Sequence, residues 1–220
     1  MLLPPPPPAD ALYPHAPHMP DVVSETSDKL LAKYERMLAD QAPNILAALQ
    51  PGLTDKEIDE LEAKFSFNLT PDLRILYRWR NGTSRTTNIN AFPDHEFIPL
   101  DQALVKRDAL KKHINNATPE QQMVDAAYIG HCDTWLGLIV DLSGDGYFFD
   151  PGRMEAEGSF FFCFAEDGRY VFFPSFRNFL AAIVEGCELG VFKIGARGAE
   201  TVDFEQAYTL WRKYGAENIR

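Results

Sequence analysis

The chain predicts an α+β fold: an antiparallel sheet of about five to six strands flanked by helices. Three observations carry that expectation. Apolar residues spaced by three and four fill the first half, to about Asn115. Short aromatic and β-branched segments broken by turn residues follow, between Ala126 and Phe173. Helical spacing then returns from Pro174, and helices before strands before helices describe α+β, not a wound parallel sheet.

Residues 1–22 separate as a proline-rich arm, because Pro4 to Pro8 lack donors and favour extended polyproline conformation. Such a tract is a tail or a docking arm for an aromatic groove. His15 and His18 lie on it as isolated side chains. Residues 23–220 read as one domain of a size that suits their length.

Within that domain Ser24 or Ser27 caps a first helix carrying Leu30, Leu31, Tyr34, Met37 and Leu38 on one face. A break at Gln41-Ala42-Pro43 leads to a short helix through Leu49, closed by Pro51-Gly52. Thr54 and Glu57 stand at capping-box spacing, and Ile58, Leu61 and Phe65 then share a face. Thr70-Pro71-Asp72 supplies a cap hydroxyl, a proline at the first helical position and an acid at the positive dipole end. Leu73, Leu76 and Tyr77 form the buried stripe of that helix, and Asn81-Gly82 is its expected stop. A polar loop from Thr83 to Asn90, a strand at Phe97–Leu100 and a helix over Asp101–Asn115 complete the first half.

Strands are expected at Ala126–Gly130, Trp135–Leu142, Gly146–Asp150, Ser159–Ala165 and Tyr170–Phe173. Ser143–Gly146 and Glu166–Gly168 are hairpin connections, so neighbouring strands should run antiparallel. Pro174-Ser175 opens a helix with Phe176, Phe179, Leu180, Ile183 and Val184 on its stripe and Gly186 as its end. A last helix from about Val202 places Phe204, Ala207, Tyr208 and Trp211 on one face.

Composition narrows the function. Sixteen phenylalanines and 45% hydrophobic residues are ample for a real core. A formal charge of −11 and a pI near 4.9 argue against direct nucleic-acid binding, which needs a basic footprint, and permit a basic protein partner; they also suit an ordinary acidic soluble protein. No apolar run approaches the roughly 18 residues of a membrane span. Met1-Leu2-Leu3 has no basic residue and runs straight into the prolines, unlike a secretory signal. Cys132, Cys163 and Cys187 are odd in number and lack metal-type spacing, as expected of reduced thiols in a cytoplasmic protein.

Catalytic and metal readings fail on chemistry. Asp141-Leu142-Ser143-Gly144-Asp145-Gly146 copies the first half of a calcium loop, but the twelfth position, which needs a bidentate glutamate, is Gly152. His131-Cys132-Asp133 has the residue types of a nucleophilic triad, yet adjacent side chains point apart. Asp150, Glu155 and Glu157 read as a solvated acidic loop in preference to a carboxylate pair. Trp79, Trp135 and Trp211 read first as packing residues and second as interface anchors. No catalytic residue, cofactor or metal is expected.

Leu53-Thr54 with Ile58, Leu61 and Phe65, then Leu69–Leu73, Leu76-Tyr77 and Asn81-Gly82, resembles the opening of the SUKH superfamily. Ile129-Gly130, Trp135, Asp141–Gly146 and Asp150-Pro151 resemble its strand region, and Pro174-Ser175-Phe176 with Phe179-Leu180 its closing helix. The resemblance implies an antiparallel sheet flanked by helices and no catalytic residues. It also implies a protein partner: many bacterial members are immunity proteins that bind and silence a toxin, often a nuclease, and fungal members resemble scaffolding regulators of cell-wall synthesis and signalling. The proline-rich arm, the helix before Gly52 and the helix after Thr201 depart from the compact family form. The expected partner is a basic toxin domain, met by Asp141, Asp145, Asp150, Glu155 and Glu157, which crowd one region of the sequence. The alternative is a regulatory scaffold that binds an endogenous partner.

Overall fold

A computed structural model describes residues 22–84, 89–116, 118, 135–141, 143–153, 159–164 and 169–218. Helix α1 (Ser27–Gln41) buries Leu30, Leu31, Tyr34 and Leu38. Neither expected serine caps it: Thr26 takes the cap position, and Ser27 Oγ instead donates to Asp72 at 2.9 Å. Helix α2 (Pro43–Ala48) stops one residue early, because Leu49 begins strand β1 (Leu49–Pro51). Helix α3 (Asp55–Phe65) carries the capping box: Glu57 N–H donates to Thr54 Oγ1 at 3.3 Å, and Thr54 N–H to Glu57 Oε2 at 2.8 Å. Helix α4 (Pro71–Trp79) is capped by Thr70 and buries Leu73, Leu76 and Tyr77.

The expected stop at Asn81-Gly82 has a different purpose. Helix α4 ends at Trp79, and Arg80–Thr83 form strand β2, antiparallel to β1. Gly82 has φ +74°, and a Cβ there would lie 2.3 Å from Pro99 N. Asn81 Oδ1 accepts from Leu100 N–H at 3.0 Å, at the start of helix α5 (Leu100–Asn116). Strand β3 is accordingly short (Glu96–Phe97), since Pro99 and α5 follow at once. The strand expected at Ala126–Gly130 lies outside the described residues.

Strands β4 (Leu136–Val140), β5 (Gly146–Phe149), β6 (Phe160–Phe164) and β7 (Arg169–Phe173) form the middle of the main sheet. Two strands absent from the sequence reading, β8 (Phe192–Gly195) and β9 (Gly198–Thr201), make a separate hairpin. A third, β10 (Ala216–Asn218), adds an edge to the main sheet, giving the order β10-β7-β6-β5-β4-β3 with every neighbouring pair antiparallel.

Register divides the phenylalanines between two faces. Leu136, Phe149, Phe160 and Phe173 stand opposite one another in a row, as do Tyr147, Phe162 and Val171. This face packs on helix α6 (Phe176–Glu188), whose Phe179 ring lies 4.3 Å from Tyr147 and 5.1 Å from Phe160. One buried cluster on this side runs from Leu30 to Trp211. Phe161 and Phe172 point the other way and pack with Trp135, backed by Leu110, Phe148 and Cys163. A strand covered on both faces reads as an unbroken apolar run, which is why Phe160–Phe162 do not alternate with polar residues.

Helix α6 continues through Gly186, the expected end. The stop is Gly190 (φ +73°): its N–H donates to Cys187 O and that of Val191 to Gly186 O, the two bonds of a Schellman turn. Helix α7 (Phe204–Tyr214) is capped by Asp203, which accepts from Gln206 N–H at 2.9 Å. It buries Ala207, Leu210 and Trp211.

Candidate functional site

Of the acids proposed from the sequence, the three described ones lie at opposite ends of β5: Asp141 and Asp145 at one, Asp150 at the other. Asp141 follows β4 and closes its turn to β5 with side-chain and backbone bonds. One carboxylate oxygen accepts from Ser143 N–H at 2.8 Å and Gly144 N–H at 2.9 Å, and Asp141 N–H donates to Asp145 O at 2.9 Å. Gly144, at φ +97°, takes the left-handed position that the turn demands. Asp141 and Asp145 are both half-buried beside the exposed Ser143 and Gly144. Glu96 of β3 adds a third half-buried carboxylate at this end, opposite Val140.

Asp150 lies at the other end of β5. The four residues of β5 separate it from Asp145, five steps of extended chain or about 17 Å at 3.4 Å per residue. Its side chain is buried, at 3% exposure, and accepts from Gly152 N–H at 2.9 Å to open a single 3₁₀ turn over Pro151–Arg153. An exposed contact was expected here; the carboxylate instead shapes the start of the loop. Glu155 and Glu157 lie outside the described residues.

Elsewhere carboxylates meet cations. Arg74 on α4 reaches Asp59 and Glu62 on α3, each at 2.7 Å, and Asp55 at 3.3 Å. The hydrogen bond from Arg74 is the main cause that holds the Asp55 carboxyl below its usual range. Arg80 bonds Glu35 at 2.7 Å, and the half-buried Trp79 indole donates to the same carboxylate. Trp135 and Trp211 are packing residues at 7% and 8% exposure.

The histidines and cysteines do not assemble a reactive set among the described residues. His95 is buried, its Nδ1 against Pro93 O and its ring edge-on to Tyr147 and Phe162. His113 is exposed near the end of α5. Burial pushes the Cys187 thiol up to about 12, with the Glu188 charge adding to the effect. His131, Cys132 and Asp133 fall outside the described residues. Among the described residues no three His, Cys, Asp or Glu side chains group as a metal centre would require. No helix there is long and apolar enough to cross a membrane.

One surface feature escaped sequence reading. Phe204 belongs by periodicity to the buried stripe of α7 but is exposed. Its helical neighbour explains why. Gly186 of α6 packs against Leu210, and α6 ends two residues later at Glu188. Phe204 lies six residues back from Leu210, about 9 Å along α7, beyond the end of α6.

The described residues form a helix-flanked antiparallel sheet of the α+β class. The sequence profile of the SMI1 / KNR4 family (SUKH-1) matches residues 52–182, more than half of the chain, and the chain belongs to this family. A domain of this family has a protein-binding role in general. Comparison with curated proteins gives no match. Helices α1 and α7, the β8–β9 hairpin and β10 lie outside the matched residues.

Proposed function

We propose that the chain is a non-enzymatic immunity protein that binds a basic toxin domain and silences it by occlusion. The observation that supports this reading is the formal charge of −11 on a chain that belongs to a protein-binding family. A toxin that acts on a polyanion, as a nuclease does, presents a basic face. Complementary charge lifts association from about 10⁵–10⁶ to about 10⁸–10⁹ M⁻¹s⁻¹ at low salt, which suits an inhibitor that must capture its toxin early in the cytoplasm. The contacts proposed are Asp141 and Asp145 at the β4–β5 turn, together with Glu155 and Glu157, which follow β5 in the sequence. Asp150 takes a positioning part, since its carboxylate holds the first turn of that loop. The mechanism calls for no cofactor or metal.

The test starts from capture of the partner at low and high salt and its identification by mass spectrometry. A single basic toxin, retained stoichiometrically and weakened by salt, is the expected result. With that partner, the D145K/E155K/E157K variant should associate at least about tenfold more slowly at low salt, with an unchanged melting temperature. Unchanged association would remove these carboxylates from the interface. The proline tract Pro4–Pro8 favours a second reading, a regulatory scaffold with the arm as an additional contact. Recovery of signalling or cell-wall-synthesis proteins in place of a toxin would support it.

A further inference from the structure

Five large apolar side chains are strongly exposed among the described residues, and three of them flank one junction: Leu189 (60%), Val202 (51%) and Phe204 (62%). The fold brings them together. Val202 N–H donates to Val191 O at 3.0 Å, which sets Val202 beside the turn that Leu189 begins. The C-terminal end of α7 lies at β7, the strand that leads into the start of α6, since a Cβ at Gly215 would be 2.4 Å from Phe172 O. The Val202–Val191 bond sets the start of α7 beside the end of α6, so the two helices run antiparallel and Leu189 and Phe204 lie at the same end. Single exposed apolar residues are ordinary, whereas a grouped set with a polar rim marks an interaction site.

The rim is acidic. Glu188 and Glu205 are exposed beside Leu189 and Phe204, and Asp203, the cap of α7, lies between Val202 and Phe204. The cations of this region stand away from it or face an acid. Lys193 is paired across the hairpin with Glu200. Arg197 is in the turn at the opposite end of that hairpin, roughly 14 Å of strand from the junction. Lys213 is held by Glu185, and Arg212 is eight residues along α7 from Phe204, about 12 Å.

We propose that this junction is a docking surface for a protein segment that presents large apolar side chains flanked by lysine or arginine. The apolar side chains supply the contact area, and the carboxylates select the charge of the partner. A second copy of the chain would bring acid against acid, and an anionic lipid surface would be repelled. The junction lies beyond the matched residues 52–182, and the proposal is independent of the toxin reading and of the Asp141–Asp145 end.

The experiment is an NMR titration of the ¹⁵N-labelled full chain with synthetic amphipathic helical peptides. The first has leucines on one face and lysines along its margins; the second has glutamates in place of the lysines; the third keeps the lysines and has serines in place of the leucines. The first peptide should give saturable shifts confined to the 188–191 and 202–206 region, and the other two should not. The V202S/F204S variant should weaken binding at least about tenfold without lowering the melting temperature, because both side chains are exposed. Equal binding by the lysine–serine peptide, shifts centred elsewhere, or no saturable shift at millimolar peptide would each overturn the proposal. So would a dimer in sedimentation velocity that F204S dissociates, or binding to phosphatidylserine vesicles that F204S abolishes. Loss of toxin capture by D145K/E155K/E157K with peptide binding intact is the expected pattern if both surfaces operate.

Discussion

Gly186 is the position where two opposing effects can be weighed from the geometry. It lies within α6, where exchanging glycine for alanine favours the helix by about 0.8–1 kcal/mol. A Cβ at that position would lie 2.3 Å from two carbons of the Phe192 ring and 3.1 Å from Leu210 Cδ1. Carbon atoms pack at about 3.5–4.0 Å, so the ring must retreat by more than about 1 Å. Phe192 is only 2% exposed, in an interior that has no such space, and overpacking of this kind costs about 1–3 kcal/mol. The packing term equals or exceeds the helix term, and Gly186→Ala should lose up to about 2 kcal/mol net. For a chain of this length that is a fall of up to roughly 8 °C in melting temperature. Urea unfolding should show a lower midpoint with an unchanged slope. Phe192→Val removes the ring atoms in question, so Gly186→Ala made in that background should change sign and stabilise by up to about 1 kcal/mol. A gain of about 1 kcal/mol in the wild-type background, or equal effects in both backgrounds, would refute the close approach of α6 to β8.

Two further predictions concern a turn and a clamp. Ser66 ends α3 in the left-handed region (φ 48°) and is exposed, so Ser66→Gly should stabilise by up to about 1 kcal/mol, whereas Ser66→Val should destabilise. Chemical unfolding of both variants checks the order, and a less stable glycine variant would contradict the assigned backbone. Burial acts to raise the Glu185 carboxyl, but hydrogen bonds from Lys213 and Tyr214 outweigh it and hold the group below its usual range. A depressed folded pKa stabilises fully above the unfolded value, near 4.3, and the contribution fades as pH falls through the folded value. The stability difference between wild type and Glu185→Gln should therefore be level above about pH 5 and shrink below about pH 4. A difference that stayed constant or grew on acidification would show that the clamp is not an ion pair.

The elements that were legible in the sequence are those specified within one or two turns of chain. The Thr54–Glu57 box, the Thr70-Pro71 start and the Leu73–Leu76–Tyr77 stripe each depend on neighbours three or four residues away. The β4–β5 and β6–β7 pairings were legible through their turns. Errors arose where one local signal serves two structures. Asn81-Gly82 looks like a helix stop but is a strand whose glycine admits Pro99, and Gly186 looks like an end but is a contact surface for Phe192. The acids from Asp141 to Glu157 are neighbours in sequence, yet β5 separates Asp145 from Asp150 by its own length. Proximity along an extended strand is distance in space.

Sequence alone determined the α+β class, the capped helices of the matched region, the antiparallel pairing of the aromatic strands and the acidic character of the chain. Each follows from composition or from short-range periodicity, which the backbone geometry of helices and strands imposes locally. Tertiary structure alone decided that Asp150 is buried, that β8, β9 and β10 exist, and that Phe204 stands in solvent. Periodicity assigns a side chain to a face of its helix, but burial requires a neighbour that reaches that far. Here α6 ends at Glu188, and the apolar stripe of α7 continues past it into water.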